Sequence, residues 1–326
     1  MKPKKQMKYS IGIDLGGTKL ATALVNSNGK ILEHGKFPLD LASSVSPSAG
    51  KKKVLALMKA ACLDYKMRYP TETSAKNFAG IGLASAGPLN VAAGELIDPS
   101  NFPGWKKFKI VEELEKNLAE SAWKPRTFFQ NDAIAAAFAE KWIGAASDCR
   151  SFVVITVGTG IGTGVIFNGL PCQTAGMGSE WGHLLIDVKG RQQAGTSIVD
   201  HTVEGIASGT ALLKRARALG FVGNSVEELV VAHKQHDKYQ ILFDDMAWAL
   251  ASLCYSLSMG FHLDKILFSG GLIKIKELYW AQTRKYYGEL INEKNPAFRA
   301  PIEVAKAGNL AGVLGAASLP FLSHAH

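Results

Sequence analysis

Residues Ser10 to Val25 read SIGIDLGGTKLATALV. An apolar strand climbs into a glycine turn and a second apolar strand returns, which predicts a β-hairpin. Asn28-Gly29 then marks another tight turn, and KILEHGKF after it continues as a third strand, so the chain opens with an antiparallel meander. Much later, Ser151 to Phe167 (SFVVITVGTGIGTGVIF) repeats the plan of strand, glycine turn and strand. This weak internal similarity suggests two related halves.

The spacing of apolar residues fills in the rest. Lys51 to Tyr65 predicts a helix, Phe78 to Ala84 a short strand running into Gly87-Pro88, and Ile110 to Glu120 an amphipathic helix. Thr127 to Phe129 predicts a strand and Ala133 to Trp142 a helix, which puts Asn131-Asp132 at a strand-to-helix junction. In the second half, helices are expected over Gly205 to Leu219, Val226 to His233 and Tyr239 to Leu263. A strand at Lys265 to Phe268 runs into Ser269-Gly270-Gly271, a helix starts near Lys276, Ile302 to Ala305 is a strand, and Leu310 to Leu319 is a small-residue helix expected to pack back on the first domain.

At 326 residues the chain is sized for two domains, placed at 1–131 plus about 306–326 and at 132–305. Apolar residues at 47% and charged residues at 20% are the composition of a folded globular protein. The four cysteines form no CxxC pair, and the lysine-rich N-terminus has no apolar core of a secretory signal, so a reducing, cytoplasmic setting is expected. Ala247 to Leu263 is interrupted by Ser252, Ser256, Ser258, Gly260 and His262 and reads as a buried helix rather than a membrane span. A net charge of +9 raises the question of nucleic acid, but the lysines are scattered and the run Lys51 to Lys53 stands alone, which favours a solvated basic face. Such a field also attracts phosphorylated ligands.

Four segments carry candidate chemistry. In Asp14-Leu15-Gly16-Gly17-Thr18-Lys19, turn amides can approach an anion and the upstream carboxylate can hold Mg²⁺ through water. Gly158-Thr159-Gly160-Ile161-Gly162 is the equivalent turn of the other half; a strand follows it, so it is neither a P-loop nor a dinucleotide-binding turn. Gln130-Asn131-Asp132 either caps a helix or presents a base to an attacking hydroxyl, as transfer of a phosphoryl group to an alcohol requires. In Gly178-Ser179-Glu180-Trp181-Gly182-His183, with Glu204 further on, Glu and His can hydrogen-bond sugar hydroxyls while Trp181 shapes a wall.

With these segments in view, the chain resembles the ROK family (repressors, open reading frames and kinases) of the actin-like ATPase superfamily, particularly its glucokinases and fructokinases. The resemblance runs from about Ile11 to Ala317 and is carried by IGIDLGGTK, GLASAGPLN, DPSNFPGW, NDAIAAAFAE, VGTGIGTGVIFNG, GSEWGH, VEGIASGTAL and ILFSGGL. It implies a two-lobed actin-like, ribonuclease H-like α/β fold with an interdomain cleft. By position it implies that Asp14, Gly16, Gly17, Thr18 and Lys19 form a first phosphate and Mg²⁺ segment, that Gly158, Thr159, Gly160 and Gly162 form a second, and that Gly270 and Gly271 lie near adenosine. Asn101, Asn131, Asp132, Glu180, His183 and Glu204 would bind sugar, with Asp132 as general base.

The expected activity is therefore transfer of the ATP γ-phosphoryl group to a free hexose, first of all the 6-hydroxyl of glucose. Fructose or an N-acetylhexosamine is the alternative acceptor, polyphosphate a possible second donor, and a non-catalytic sugar sensor the reading from another class. A homodimer is usual for the family, and the stretch Tyr239 to Trp248 could supply its surface.

Two departures from the family pattern bear on this. Relatives commonly hold a structural zinc through the counterpart of His183 and three cysteines of a CxCGxxGC segment, whereas Val188 to Val203 here contains no cysteine. No zinc is expected, and His183 is left for the sugar or its own loop. Only thirteen residues precede Asp14, too few for the winged helix-turn-helix of the family's repressors, so no nucleic-acid partner is expected.

Overall fold

The protein is described from a computed structural model that covers residues 6–40, 46–99, 101–174, 176–187 and 197–322. It divides into two compact units, one of residues 1–148, 172–178 and 310–326 and the other of 149–171 and 179–309.

In the first unit, β1 (Tyr9–Leu15), β2 (Lys19–Asn26) and β3 (Ile31–Pro38) form the expected meander, and β4 (Phe78–Ser85) and β7 (Thr127–Asn131) extend it in the order β3-β2-β1-β4-β7. The last two strands run parallel to β1. A short ribbon of β5 (Leu89–Asn90) and β6 (Glu95–Leu96) stands apart. Helices α1 (Pro47–Arg68), α2 (Ile110–Ala119) and α3 (Asp132–Ile143) complete the unit with the C-terminal helix Ala311–Leu322. Helix α1 starts earlier than its apolar spacing indicated, because Ser46 Oγ accepts the Ala49 N–H at 3.2 Å and Pro47 occupies the first turn.

The period-two alternation of β1 explains its sequence. Ile11, Ile13 and Leu15 are fully buried in a core with Val54, Met58, Leu83 and Leu114. The alternate residues meet the C-terminal helix: Ser10 Oγ donates to the Ala317 carbonyl at 2.6 Å, and Gly12 lies against Val313 and Ala317. Gly82 on β4 likewise lies against the Ala316 backbone, and Gly315 against the backbone of Ala135 in α3. A side chain at these glycines would overlap main-chain atoms, so the helix is seated by what is missing from its neighbours. Because α3 packs on this helix, it belongs to the first unit, whose first segment runs to residue 148.

The second unit repeats the plan. Strands β8 (Phe152–Val157), β9 (Ile161–Phe167) and β10 (Leu170–Pro171) form a meander, and β11 (Lys265–Ser269) and β12 (Ile302–Val304) run parallel to β8, in the order β10-β9-β8-β11-β12. The helix expected over 205–219 is two, α4 (Val203–Ala207) and α5 (Gly209–Ala218). Ser208 is extended between them and its Oγ accepts the Ala211 N–H, the competition with helix that serine offers. Helix α6 (Val226–Gln235) and the long α7 (Gln240–Phe261) follow; α7 packs on α4 and on α8 (Trp280–Lys294), with Ser258 Oγ 2.8 Å from the Tyr287 hydroxyl. Residues Gly271–Leu278 form a 3₁₀ helix, so α8 begins later than expected. Tyr239 and Met246, read as candidate dimer surface, are buried in this unit, and only Ile241 and Trp248 of the apolar residues there are exposed. No helix among the described residues is long and apolar enough to cross a membrane.

Candidate active site

In the first unit, three parallel strands end level with one another: Leu15 pairs with Ser85, and Ser85 with Asn131. This is the sheet edge at which open α/β folds place their chemistry. Asp14 on β1 and Gln130 on β7 are both paired with Ala84, so two strand spacings, roughly 10 Å, separate their backbones. Asp132 follows as the first residue of α3.

Asn131 is the N-cap of α3: its Oδ1 accepts the N–H groups of Ala133 at 2.9 Å and Ile134 at 3.3 Å. That side-chain oxygen is therefore engaged, and only its amide nitrogen is left to meet a ligand. Asp132 Oδ1 accepts the Ala133 N–H at 2.8 Å, and no other residue among those described donates to Oδ2. Burial pushes the Asp132 carboxyl above its usual range, while the amide bonds pull it down. Gln130 supports this junction, its Oε1 accepting from the Asn131 N–H at 2.8 Å and from Gln173 Nε2 at 2.9 Å.

The carboxyl of Asp14 is pushed up to about 6, by burial first and then by the charge of Asp132, with Lys19 acting in the opposite direction. It rests directly against Gly312, in the first turn of the C-terminal helix, where a Cβ would collide with the carboxylate carbon at 2.7 Å. Asn101 is exposed and lies against Gly17. The turn itself is closed by the Gly16 N–H donating to the Lys19 carbonyl at 3.0 Å, which leaves the N–H groups of Gly17 and Thr18 without an acceptor in the described residues.

The second unit holds the matching turn. The Gly158 N–H donates to the Gly160 carbonyl at 2.9 Å, again leaving two successive N–H groups, of Thr159 and Gly160, without an acceptor in the described residues. Consecutive unengaged amides of this kind form anion-binding concavities. The turn is tied to the α4–α5 junction, since Gly209 N–H donates to the Gly158 carbonyl at 2.8 Å and Thr210 N–H to the Thr159 carbonyl at 3.3 Å. Glu204, in the first turn of α4, accepts the Ile161 N–H through Oε2 at 2.7 Å. Gly270 lies against the backbone of Val157 beside the turn, and the space before Gly271 is open.

Glu180 and His183 are exposed on a 3₁₀ turn, Trp181–His183. Thr163 organises it: its hydroxyl donates to the Ser179 carbonyl and accepts the Trp181 N–H at 3.0 Å, and Trp181 meets Phe261 edge-on. The described residues hold no cluster of three or more His, Cys, Asp or Glu side chains suited to a metal, and residues 188–196 of the cysteine-free stretch lie outside the description. A cavity of about 540 Å³ lined by Lys66, Trp123 and Arg126 sits at the opposite ends of β4 and β7 from Asp132 and takes no part in this site.

Sequence reasoning named Gln130 only as part of the junction segment, and it missed Gly312 and Thr163 as supports. Only Gly312 left a signal, since glycine inside a helix costs about 1 kcal/mol against alanine and marks a close approach.

A duplicated five-strand plan, with a glycine turn after the first strand of each copy, defines the actin-like ATPase class of α/β proteins. The model of the ROK family matches residues 10–321, and the chain belongs to that family. It is 27% identical to a glucokinase of Thermotoga maritima, covering 95% of this chain and 96% of that one. It is 31% identical to an N-acetylmannosamine kinase of Citrobacter koseri, covering 95% and 98%. Among solved structures, the ROK hexokinase of Thermus thermophilus superposes with a TM-score of 0.79 at 27% identity over 97% of this chain and 99% of that one.

Proposed function

We propose that this chain is an ATP-dependent hexose kinase that phosphorylates a free sugar, the 6-hydroxyl of glucose first of all. The observation that carries the reading is Asp132, held by the cap of α3 with one carboxylate oxygen to which no other described residue donates, at the same sheet edge as Asp14. A sugar hydroxyl hydrogen-bonded to Oδ2 gives up its proton there as its oxygen bonds to the γ-phosphorus and the bond to the ADP oxygen breaks. The raised affinity of Asp132 for a proton suits a base.

The unengaged amides of Gly17 and Thr18, and of Thr159 and Gly160, are the donors available to phosphate oxygens in this reading. Asp14 fits a role with Mg²⁺, held through water. A partly buried carboxylate made harder to ionise by a second carboxylate is relieved by a divalent cation, which when bound neutralises charge on the phosphates. Asn101, Asn131 through its amide nitrogen, Glu180, His183 and Glu204 are the proposed sugar contacts.

The N-acetylmannosamine kinase relative keeps an N-acetylhexosamine as the second acceptor reading, ahead of fructose. Coupled ADP release from ATP across glucose, mannose, fructose, N-acetylmannosamine and N-acetylglucosamine tests both, with glucose expected to give the highest kcat/KM. Repeating the panel with polyphosphate tests the second donor. Folded protein that turns over no sugar at all leaves only the sensor reading.

A further inference from the structure

Glu204 is the side chain that ties α4 to the second glycine turn. Its Oε2 accepts the Ile161 N–H at 2.7 Å, and a Cβ on the preceding residue, Gly160, would stand 2.6 Å from that same oxygen. The carboxylate therefore occupies the space that glycine leaves open at position 160. Its other oxygen, Oε1, makes no hydrogen bond within the described residues. Glu204 is fixed from behind as well: Thr202 caps α4, its Oγ1 accepting the Gly205 N–H at 3.0 Å, and the Leu184 carbonyl accepts the Val203 N–H at 3.0 Å.

A single half-buried carboxylate thus has one oxygen engaged with the turn and one available. Resting on the proposed kinase reading, we infer that Glu204 is a positioning residue for the nucleotide turn as well as a sugar contact, and so couples acceptor binding to nucleotide binding. The bond to Ile161 is charge-assisted, the stronger kind of hydrogen bond. It holds the backbone of residues 159–161 in the conformation that leaves the Thr159 and Gly160 amides available for phosphate oxygens. A sugar hydroxyl donating to Oε1 restrains the carboxylate further, and the turn with it. By linkage, nucleotide then tightens sugar binding by the same factor as sugar tightens nucleotide.

The test measures binding of the non-hydrolysable analogue AMPPNP by calorimetry, with and without saturating glucose, in the parent chain and in Glu204→Gln and Gly160→Ala. Glu204→Gln removes the charge on the acceptor; Gly160→Ala leaves Glu204 intact and displaces its carboxylate. The parent is expected to bind AMPPNP more tightly with glucose than without. Both variants are expected to weaken AMPPNP binding roughly tenfold in the absence of any sugar, a change equal to about 1.4 kcal/mol, and to lose the tightening by glucose. Thermal unfolding midpoints near the parent's show that the variants are folded. If Glu204 contacts only sugar, Glu204→Gln weakens glucose binding while sugar-free AMPPNP affinity stays within about twofold of the parent in both variants, and the inference is overturned. A parent chain that binds glucose and AMPPNP without coupling also overturns it while leaving the kinase reading intact; a parent that binds neither removes both.

Discussion

Asp14 is held protonated to about pH 6 in part by the charge of Asp132, although the two residues lie far apart in the chain. Asp132 therefore sets a condition on the charge that Asp14 can carry, and the cost of placing both at one sheet edge is legible in pH.

The folded-state value of about 6 for Asp14 lies above its ordinary 3.8, so the folded chain binds this proton more tightly than the unfolded chain does. Stability then falls as pH rises from about 4 to about 6, and the penalty is complete above that range. Asp14→Asn is expected to raise the thermal midpoint by a few degrees at pH 7.5, with the gain vanishing near pH 4, while abolishing turnover. A midpoint at pH 7.5 equal to or below the parent's would contradict this placement of the carboxylate.

Replacing Asp132 by asparagine keeps the shape and the Ala133 contact at Oδ1 but removes the base. We expect kcat to drop by about 10² to 10⁴, the range for loss of a general base, with glucose affinity changed by no more than about threefold in a calorimetric titration. The same variant removes the like charge beside Asp14, so the Asp14 carboxyl, followed by NMR titration, should fall below about 6. An unchanged kcat would remove Asp132 from the chemistry.

Chelation separates the two metals at issue. EDTA treatment followed by removal of the chelator should leave the midpoint of unfolding unchanged, and turnover should return on adding Mg²⁺ alone. Elemental analysis should find well under one zinc per chain, because Val188 to Val203 contains no cysteine to serve as a thiolate ligand. Near-stoichiometric zinc would refute that expectation.

The seating of the C-terminal helix can be tested at Gly315, whose Cα lies against the backbone of Ala135 in α3. Gly315→Val forces main-chain atoms apart and is expected to cost about 3 kcal/mol or more, measured as a lower urea midpoint. The same change should also lower activity in the folded fraction, since Gly312 of that helix abuts Asp14. A variant as stable as the parent would show that α3 and the helix can separate freely.

Much of this was legible locally. Alternating apolar residues around Gly16-Gly17 and around Gly158 to Gly162 were enough to predict both hairpins and their repetition, because turn chemistry and period-two burial act between near neighbours. Asn131-Asp132 was recognisable as a junction for the same reason. The split at Ser208 and the burial of Tyr239 and Met246 were not, since each depends on what packs against the segment.

By itself, the sequence determined the strand and turn plan, the positions of the carboxylates along it, and membership of the ROK family through residues 10–321. Only the tertiary structure decided that Asp14 faces Gly312, that Asp14 and Asp132 share one sheet edge, and that Glu204 closes on Ile161. Local pattern tells a strand which face to bury, but the charge a carboxylate can carry depends on the groups that folding brings around it from elsewhere in the chain.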